Sequence, residues 1–327
     1  MEQTRWAMVG TGLMLRLIGH DLAKTENVDA RVIVSRTQER ADEAASEYGF
    51  AEGSADFDAV LRRDDIDVVY IATPMSMHYD QAMAALEAGK HVLVEKSMTM
   101  NAKQTKALCE FAESRGLFCM EAMWTAFNPA IIELRRRIAA GAIGEPSLLE
   151  ATFCTAPPFS PEHRLFSAAL GGGSVLDQGV YTMSLAHMIF GKPTRILATG
   201  VVLNDVDMEA TAILEFAGGK RAVCVSSLRG NSPLDAYITG VVGSFEIPGA
   251  FWNASGFAQV MVAADGSRDT DVFTYEREGG GYVPMLRAVS SAILEGKTQH
   301  PLRSHAESIA VAETMDEVLR QIHHCSE

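Results

Sequence analysis

The sequence has little of what a membrane protein or a nucleic-acid-binding protein requires. None of its apolar runs approaches the ~20 residues of a transmembrane helix, so we expect no membrane span. Lysine and arginine together number 28 against 42 acidic residues, and the formal net charge is -14. The one basic run, Arg135-Arg136-Arg137, falls in a predicted helix and is interpreted as a solvated face. This charge balance argues against nucleic acid as a partner.

Cysteine is scarce as well. The five cysteines are scattered at positions 109, 119, 154, 224 and 325 without a CxxC pair. His323-His324-Cys325 is interpreted as a frayed terminus rather than a metal site, and no other cluster has the spacing of metal ligands. We therefore expect reduced thiols, no metal site and a cytoplasmic protein. An apolar strand begins almost at once, so no secretory signal is expected. A length of 327 residues is enough for two domains with separate cores.

The start of the chain has the pattern of a nucleotide-binding unit. A short apolar strand runs into Gly10-Thr11-Gly12, and a helical pattern begins at Leu13. In this context Gly10 permits a tight turn, Gly12 lets the backbone approach a pyrophosphate, and the helix amides hold its negative charge. The third fingerprint position, usually Gly or Ala, is Leu15, which predicts a looser contact between helix and strand.

The end of the second predicted strand, Ala30–Val34, bears on the choice of cofactor. An NAD-preferring site carries an acid here to bind the ribose 2′-hydroxyl, whereas this chain has Ser35, Arg36 and Thr37, with Arg40 one helical turn later. A guanidinium suits a 2′-phosphate. The sequence therefore favours NADP, with NAD also possible; the alternative is that Arg36 is a solvated loop residue.

Strands and helices then alternate as far as residue 123, which predicts a doubly wound parallel sheet, a Rossmann domain that binds NAD(P). Ligands of such sheets bind at the carboxyl ends of the strands. Thr73, Pro74, Lys96 and Glu121 all follow or end predicted strands. We therefore expect them to converge on one crevice.

The second part of the chain, 124–327, has a different pattern. A helix is predicted over Ser174–Phe190, and strands joined by tight glycine turns follow between Thr211 and Tyr275. This pattern predicts an α+β domain with an open, mostly antiparallel sheet that binds substrate and forms a homodimer or homotetramer. The run Gly279-Gly280-Gly281 lacks the strand–loop–helix context of a phosphate loop and is interpreted as a flexible loop.

Several motifs combine into a family resemblance. They are Gly10-Thr11-Gly12, Ala72-Thr73-Pro74, Glu95-Lys96 and Asp177-x-Gly179-x-Tyr181. Together they resemble the Gfo/Idh/MocA oxidoreductases, and the residues around Glu121–Thr125, Arg164–Phe166 and Phe251-Trp252 are similar to the branch with dimeric dihydrodiol and NADP-dependent xylose dehydrogenases. The resemblance implies hydride transfer, with NAD(P), to or from a sugar, diol or related compound. Ser97, where the family has proline, and Leu15 depart from its pattern.

Lys96, Asp177 and Tyr181 are the candidate catalytic residues. Asp177 and Tyr181 are four residues apart, so an α-helix would present them on one face. A tyrosine with a pKa near ~10 is a poor proton donor unaided, and a neighbouring cationic lysine lowers that pKa by stabilising the phenolate. Asp177 would orient a substrate hydroxyl or hold Lys96 charged. The plain alternatives are a half-buried core tyrosine and a surface lysine.

We expect the remaining site residues to bind cofactor or a small-molecule substrate. The predicted cofactor-binding residues are Gly10, Thr11, Gly12, Leu13, Ser35, Arg36, Thr37, Arg40, Thr73, Pro74, His78, Glu95 and Lys96. The predicted substrate-binding residues are Trp124, Phe127, Arg164 and Trp252, although any one of the aromatic residues is more often simply core. Two functions stay open from the sequence: an NADP-dependent oxidoreductase, and a catalytically silent NAD(P)-binding regulator on the same scaffold.

Overall fold

The computed structural model describes residues 2–324, which form two compact units. The first unit comprises the chain up to Trp124 together with Arg277–Ile309, and the second comprises Thr125–Glu276 and the residues from Ala310 onward. These units describe packing, so the functional division into 1–123 and 124–327 stays a prediction. Within the described residues, no helix combines the length and the apolar character needed to cross a membrane.

Fourteen strands and nine α-helices are present in the described residues. The strands, β1 to β14, are Thr4–Val9, Val28–Val34, Glu52–Ser54, Val68–Ile71, His91–Val94, Cys119–Glu121, Pro146–Cys154, Arg195–Leu203, Val206–Glu215, Arg221–Ser227, Ala236–Gly240, Gly243–Ile247, Gly256–Val262 and Arg268–Thr274. The α-helices, α1 to α9, are Leu13–Lys24, Gln38–Tyr48, Phe57–Leu61, His78–Glu87, Ala102–Ser114, Pro129–Ala139, Val180–Phe190, Val283–Leu294 and His305–His324.

The first unit contains a six-stranded sheet in the order β3-β2-β1-β4-β5-β6. All of its pairings are parallel, which confirms the predicted doubly wound sheet. The strand order reverses between β1 and β4, the position at which such sheets bind ligands. The central strand Val68–Ile71 is buried along its whole length, as expected for a strand whose two faces are both covered.

The second unit contains an eight-stranded sheet in the order β14-β13-β12-β11-β7-β10-β9-β8. Its pairings are antiparallel except that of β7 with β10, which is parallel, so the predicted mostly antiparallel α+β domain is confirmed. One face of the sheet is buried, with Leu149, Leu214, Ile238 and Phe245 fully covered. The opposite face carries exposed side chains.

Side-chain caps explain where several helices begin. The side chain of Asn101 accepts a hydrogen bond from the Gln104 amide at 3.0 Å, which starts α5. The last helix begins after Ser304, whose hydroxyl oxygen accepts a hydrogen bond from the Glu307 amide at 3.2 Å. Capping of this kind fixes a helix start more sharply than apolar periodicity does.

Candidate active site

The glycine turn after β1 has the two properties that a dinucleotide requires. Gly10 has a φ of +113°, and a Cβ at this position would lie 2.6 Å from the carbonyl oxygen of Ala72. A Cβ on Gly12 would have no atom within 4 Å, and Gly12 precedes α1 without a side-chain cap. Leu13, in the first turn of that helix, is about half exposed. The turn is therefore packed on one side, and open at the amides that would face a phosphate.

The residues after β2 divide into two groups. The hydroxyl oxygens of Ser35 and Thr11 are 2.9 Å apart, which ties this strand end to the glycine turn. Thr37 begins α2, and its hydroxyl oxygen accepts a hydrogen bond from the Arg40 amide at 3.4 Å. The side chains of Arg36 and Arg40 are exposed. Thr37 thus has a capping role that the sequence did not assign, while the two arginines are accessible to a ligand.

Lys96 lies just after β5, at the same carboxyl edge of the sheet as the glycine turn. Its backbone amide donates to the carboxylate of Glu95 at 3.1 Å, and the Tyr70 hydroxyl donates to the same carboxylate. Burial raises the pKa of the Glu95 carboxyl to about 7, although the Tyr70 hydroxyl and the Lys96 cation lower it. Glu95 supports the lysine backbone, and its predicted contact with cofactor stays a prediction.

The residues next to Lys96 are tightly packed. The peptide bond between Lys96 and Ser97 is cis, and Ser97 is buried. Nδ1 of the buried His78 lies 3.1 Å from the Ser97 carbonyl oxygen, and Nε2 lies 2.9 Å from the Thr73 carbonyl oxygen. Burial lowers the pKa of His78, against the effect of its carbonyl contacts. The imidazole therefore bridges two of the loops that follow strands of the sheet.

Asp177 and Tyr181, in the second unit, do not lie on one continuous α-helix. Asp177 belongs to a π-helical turn, Val175–Gly179, and Tyr181 lies in α7 directly after it. The helix predicted over Ser174–Phe190 is therefore present, but its first part is π-helical. The carboxylate of Asp177 accepts a hydrogen bond from the Arg164 guanidinium at 3.0 Å, so these two predicted site residues are brought together.

A buried carboxylate fixes the start of this helical segment. Asp207 accepts hydrogen bonds from the Val175 amide at 2.7 Å and from the Ser174 hydroxyl at 2.9 Å. Burial raises the pKa of Asp207 to about 6, although both hydrogen bonds lower it. Gly173, at a φ of +113°, leaves room for this carboxylate, because a Cβ there would lie 1.9 Å from an Asp207 oxygen.

An aromatic cluster surrounds Tyr181. Trp252 stacks on Phe153 with ring centroids 3.7 Å apart and an interplanar angle of 4°. Tyr181 is tilted against both rings, with centroid distances of 5.6 Å to Phe153 and 5.8 Å to Trp252. The sequence predicted Trp252 as a substrate-binding residue but missed Phe153, which lies near the end of β7 and belongs to no motif.

The other predicted aromatic residues have different surroundings. Trp124 stacks on Tyr282, with ring centroids 4.1 Å apart, and Phe127 is almost fully buried.

The amides of Gly280 and Tyr282 donate to the carboxylate of Asp21 at 2.9 and 3.0 Å. The glycine run is therefore anchored by Asp21 and is not the flexible loop that the sequence predicted. The anion that its amides bind is a carboxylate of the protein itself. The described residues contain no cluster of His, Cys, Asp or Glu able to hold a metal ion.

Family models match both parts of the chain. The model described as "Oxidoreductase family, NAD-binding Rossmann fold" matches residues 4–123, and the model of the Gfo/Idh/MocA C-terminal domain matches residues 131–246. The chain belongs to the Gfo/Idh/MocA oxidoreductase family and is an NAD(P)-dependent oxidoreductase. The open, uncapped turn at Gly12 and the exposed arginines after β2 fit such a dinucleotide.

Individual relatives align over nearly the whole chain. The chain is 29% identical to trans-1,2-dihydrobenzene-1,2-diol dehydrogenase of Xenopus laevis, with 98% of both chains covered. It is 31% identical to D-xylose 1-dehydrogenase (NADP(+)) 2 of Haloferax volcanii, with 89% of this chain and 88% of the relative covered. A solved levoglucosan dehydrogenase, in complex with NADH and levoglucosan, has the same fold, with a TM-score of 0.90, 22% identity and coverage of 99% and 98%.

Proposed function

We propose that the protein transfers a hydride between NADP and the carbonyl or alcohol carbon of a sugar, diol or dicarbonyl-type substrate. In this proposal residues 1–123 bind the dinucleotide, and residues 124–327 bind the substrate and form the oligomer. The observation that carries the proposal is the position of Lys96, which follows β5 at the sheet edge where the open glycine turn also lies. The dihydrodiol, xylose and levoglucosan dehydrogenases among its relatives support the substrate class.

In the proposed mechanism a bound NAD(P) would supply the hydride donor or acceptor for the substrate carbon. Tyr181 donates a proton to the substrate oxygen during reduction and takes it back during oxidation. The positive charge of Lys96 stabilises the developing alkoxide and the tyrosine phenolate. The Arg164–Asp177 pair, with a contact of 3.0 Å, orients the substrate hydroxyls. A flat aromatic surface such as the Phe153–Trp252 stack suits the apolar face of a sugar or a diol ring.

Three further properties belong to this proposal. The exposed Arg36 and Arg40 after β2 support NADP as the preferred cofactor, with NAD accepted more weakly. The apolar side chains on the open face of the second sheet support a homodimer or homotetramer formed through that face. The buried free thiols of Cys109, Cys119 and Cys224 support the cytoplasm as the location.

The test is a turnover assay with a panel of aldoses, dihydrodiols and 1,2-dicarbonyls, followed by NADPH absorbance. Because general acid–base assistance is worth about 10²–10⁴ in rate, we expect Tyr181→Phe to lower kcat by that factor while NADPH still binds. Lys96→Met should lower kcat at least as much. Tyr275→Phe and Lys103→Met are the matched controls. NADPH binding without turnover of any panel member would favour the regulator, and parental kcat in both site variants would refute the assigned roles.

A further inference from the structure

The edge strand β6 is covered by a segment from the far end of the chain. The Cys119 amide donates to the Thr298 carbonyl oxygen at 3.0 Å, and a ring nitrogen of His305 lies 2.8 Å from the Cys119 carbonyl oxygen. An uncovered edge strand exposes unpaired backbone groups, so this segment completes the sheet at its last strand. It also carries a charged side chain into the interior.

That side chain is Arg303, which is completely buried. Its Nε donates to Oε2 of Glu121 at 3.1 Å, its Nη2 donates to the same oxygen, and its Nη1 lies 3.4 Å from the Glu307 carboxylate. Glu121 is the last residue of β6 and is 2% exposed. The sequence placed Glu121 at the ligand crevice, whereas the structure shows its carboxylate in a buried ion pair.

The second oxygen of Glu121 reaches the lysine loop, which we define as Lys96-Ser97-Met98. Oε1 accepts a hydrogen bond from the Met98 amide at 3.0 Å. The Lys96 amide and the Ser97 carbonyl of this loop contact the buried side chains of Glu95 and His78 at 3.1 Å each. All three consecutive residues of the lysine loop therefore have a backbone group held by a buried side chain.

A contribution to stability alone does not explain the ion pair. Burying two charges costs desolvation that their attraction only partly offsets, and apolar residues of similar volume often serve stability as well or better. What the pair provides is a carboxylate of fixed orientation, because Arg303 holds Oε2 and thereby directs Oε1 to the Met98 amide. An apolar side chain at position 121 cannot accept a hydrogen bond from that amide, and one at position 303 would leave the Glu121 carboxylate without the cation that orients it.

We propose that Glu121 and Arg303 are positioning residues, which set the place of the Lys96 ammonium group by fixing the lysine loop two residues beyond it. The inference rests on the proposed role of Lys96 in the reaction. It assigns a function to Arg303, which lies 182 positions from Glu121 in the sequence and in a segment without a recognisable motif. Misplacement of a reacting group by about 1 Å can cost about a hundredfold in rate, which sets the scale of the expected effect.

The experiment compares Glu121→Gln, Arg303→Gln and the double variant in the full-length protein. We expect each single variant to lower kcat by about ten- to a hundredfold, the range that such misplacement allows, and to shift the pH profile of kcat, while NADPH affinity changes less than twofold. The double variant should be no slower than the slower single variant, because the two residues act through one contact. Where Arg303→Gln does not fold, Arg303→Lys takes its place, because it retains a cation beside Glu121. We expect this variant as well to lower kcat while its NADPH affinity changes less than twofold.

A second measurement is independent of turnover. Competitive labelling of lysines with acetic anhydride, read by peptide mass spectrometry, reports the pH dependence of acylation at Lys96. We expect this dependence to change in the Glu121 and Arg303 variants. The control is Lys90→Gln, which removes a buried cation that donates to the Arg63 and Ile66 carbonyl oxygens at the opposite end of β5. It should change stability without changing the kcat profile or the labelling of Lys96.

The outcomes separate this inference from the proposed function. Full activity in Lys96→Met would refute the role of Lys96 itself. Loss of activity in Lys96→Met, together with parental kcat, pH profile and labelling in the folded Glu121 and Arg303 variants, would overturn only the positioning inference. Additive losses in the double variant would also overturn it, because independent residues do not share one contact.

Discussion

Among the polar residues that follow β2, the structure gives Ser35 and Thr37 structural partners. The Ser35 hydroxyl contacts Thr11, and the Thr37 hydroxyl caps α2, so both side chains shape the strand end itself. Arg36 and Arg40 are exposed. Because both guanidinium groups are accessible, we propose that they distinguish NADP from NAD at this strand end.

We therefore predict that Arg36→Ala weakens NADP binding far more than NAD binding. A hydrogen bond to a charged group contributes about 1.5–3 kcal/mol, so the loss for NADP should be roughly ten- to a hundredfold. Dissociation constants for NADPH and NADH, measured by fluorescence, check the prediction. The matched control is Arg62→Ala, which removes an exposed arginine elsewhere in the same unit. Equal losses for the two cofactors would contradict the assignment of the 2′-phosphate site.

Individual site residues can be predicted from the sequence when they belong to a local pattern. Residues whose surroundings depend on a distant partner cannot. Gly10, Gly12 and Lys96 follow strands in recognisable motifs, and the structure places them at one sheet edge. The burial of Glu121 depends on Arg303, which is far away in sequence and has no motif of its own. No periodicity or spacing in the sequence indicates such a buried ion pair.

The first helix, α1, contains a residue, Leu15, that the dinucleotide-binding motif disfavours. Leu15, in place of a small residue, predicts a loose contact, yet Leu15 is buried at 3% exposure. A Cβ on Gly19 would lie 2.9 Å from a methyl carbon of Leu15, so the absence of a side chain at Gly19 makes room for the leucine. The larger residue is thus accommodated by Gly19 one turn further on, and the looser contact between helix and strand stays a prediction.

The two glycines of the turn before this helix should respond differently to alanine. Gly10→Ala introduces a Cβ 2.6 Å from the Ala72 carbonyl oxygen at a φ of +113°, so we expect about 1–3 kcal/mol or more of destabilisation. Gly12→Ala meets no atom within 4 Å and should leave the melting temperature of the cofactor-free protein nearly unchanged. It should nevertheless weaken NADPH binding, because the new methyl group would lie where we expect the pyrophosphate to approach.

Thermal unfolding without cofactor and NADPH titration together check this pair. Each variant serves as the control for the other, since the two substitutions are chemically identical and two residues apart. Unchanged NADPH affinity in Gly12→Ala would argue against a pyrophosphate at this turn. A melting temperature for Gly10→Ala equal to that of the parent would contradict the tight packing of the turn against β4.

At the scale of the whole molecule, the sequence predicts the fold class of both units but not all of their connections. Tight glycine turns identify antiparallel hairpins, and the structure contains them. The parallel pairing of β7 with β10 joins strands separated by a long stretch of chain, which leaves no local signal. The sequence likewise does not predict that Arg277–Ile309 belongs to the first unit. The helix pattern in this segment is that of any amphipathic helix and does not indicate which unit it packs in.

The open face of the second sheet carries a row of side chains that cross-strand pairing places side by side. Leu197 pairs with Ile213, Ile213 pairs with Val223, and the row continues through Tyr237 to Val272. Leu197, Ile213 and Tyr237 are each more than a third exposed, and Val272 is 70% exposed. Glu150 and Glu246 lie in the same row, so the face is mixed rather than wholly apolar.

We predict that this face joins copies of the chain, because apolar side chains aligned across a sheet are stabilised when a second sheet covers them. Ile213→Arg should reduce the apparent mass from that of an oligomer to that of a monomer, since a symmetric interface would place two copies of the charge close together. Light scattering at micromolar concentration measures the change. Leu294→Arg, which alters a similarly exposed apolar residue on α8, is the control and should keep the parental mass. A monomeric parent, or an oligomer that survives Ile213→Arg unchanged, would exclude this face as the interface.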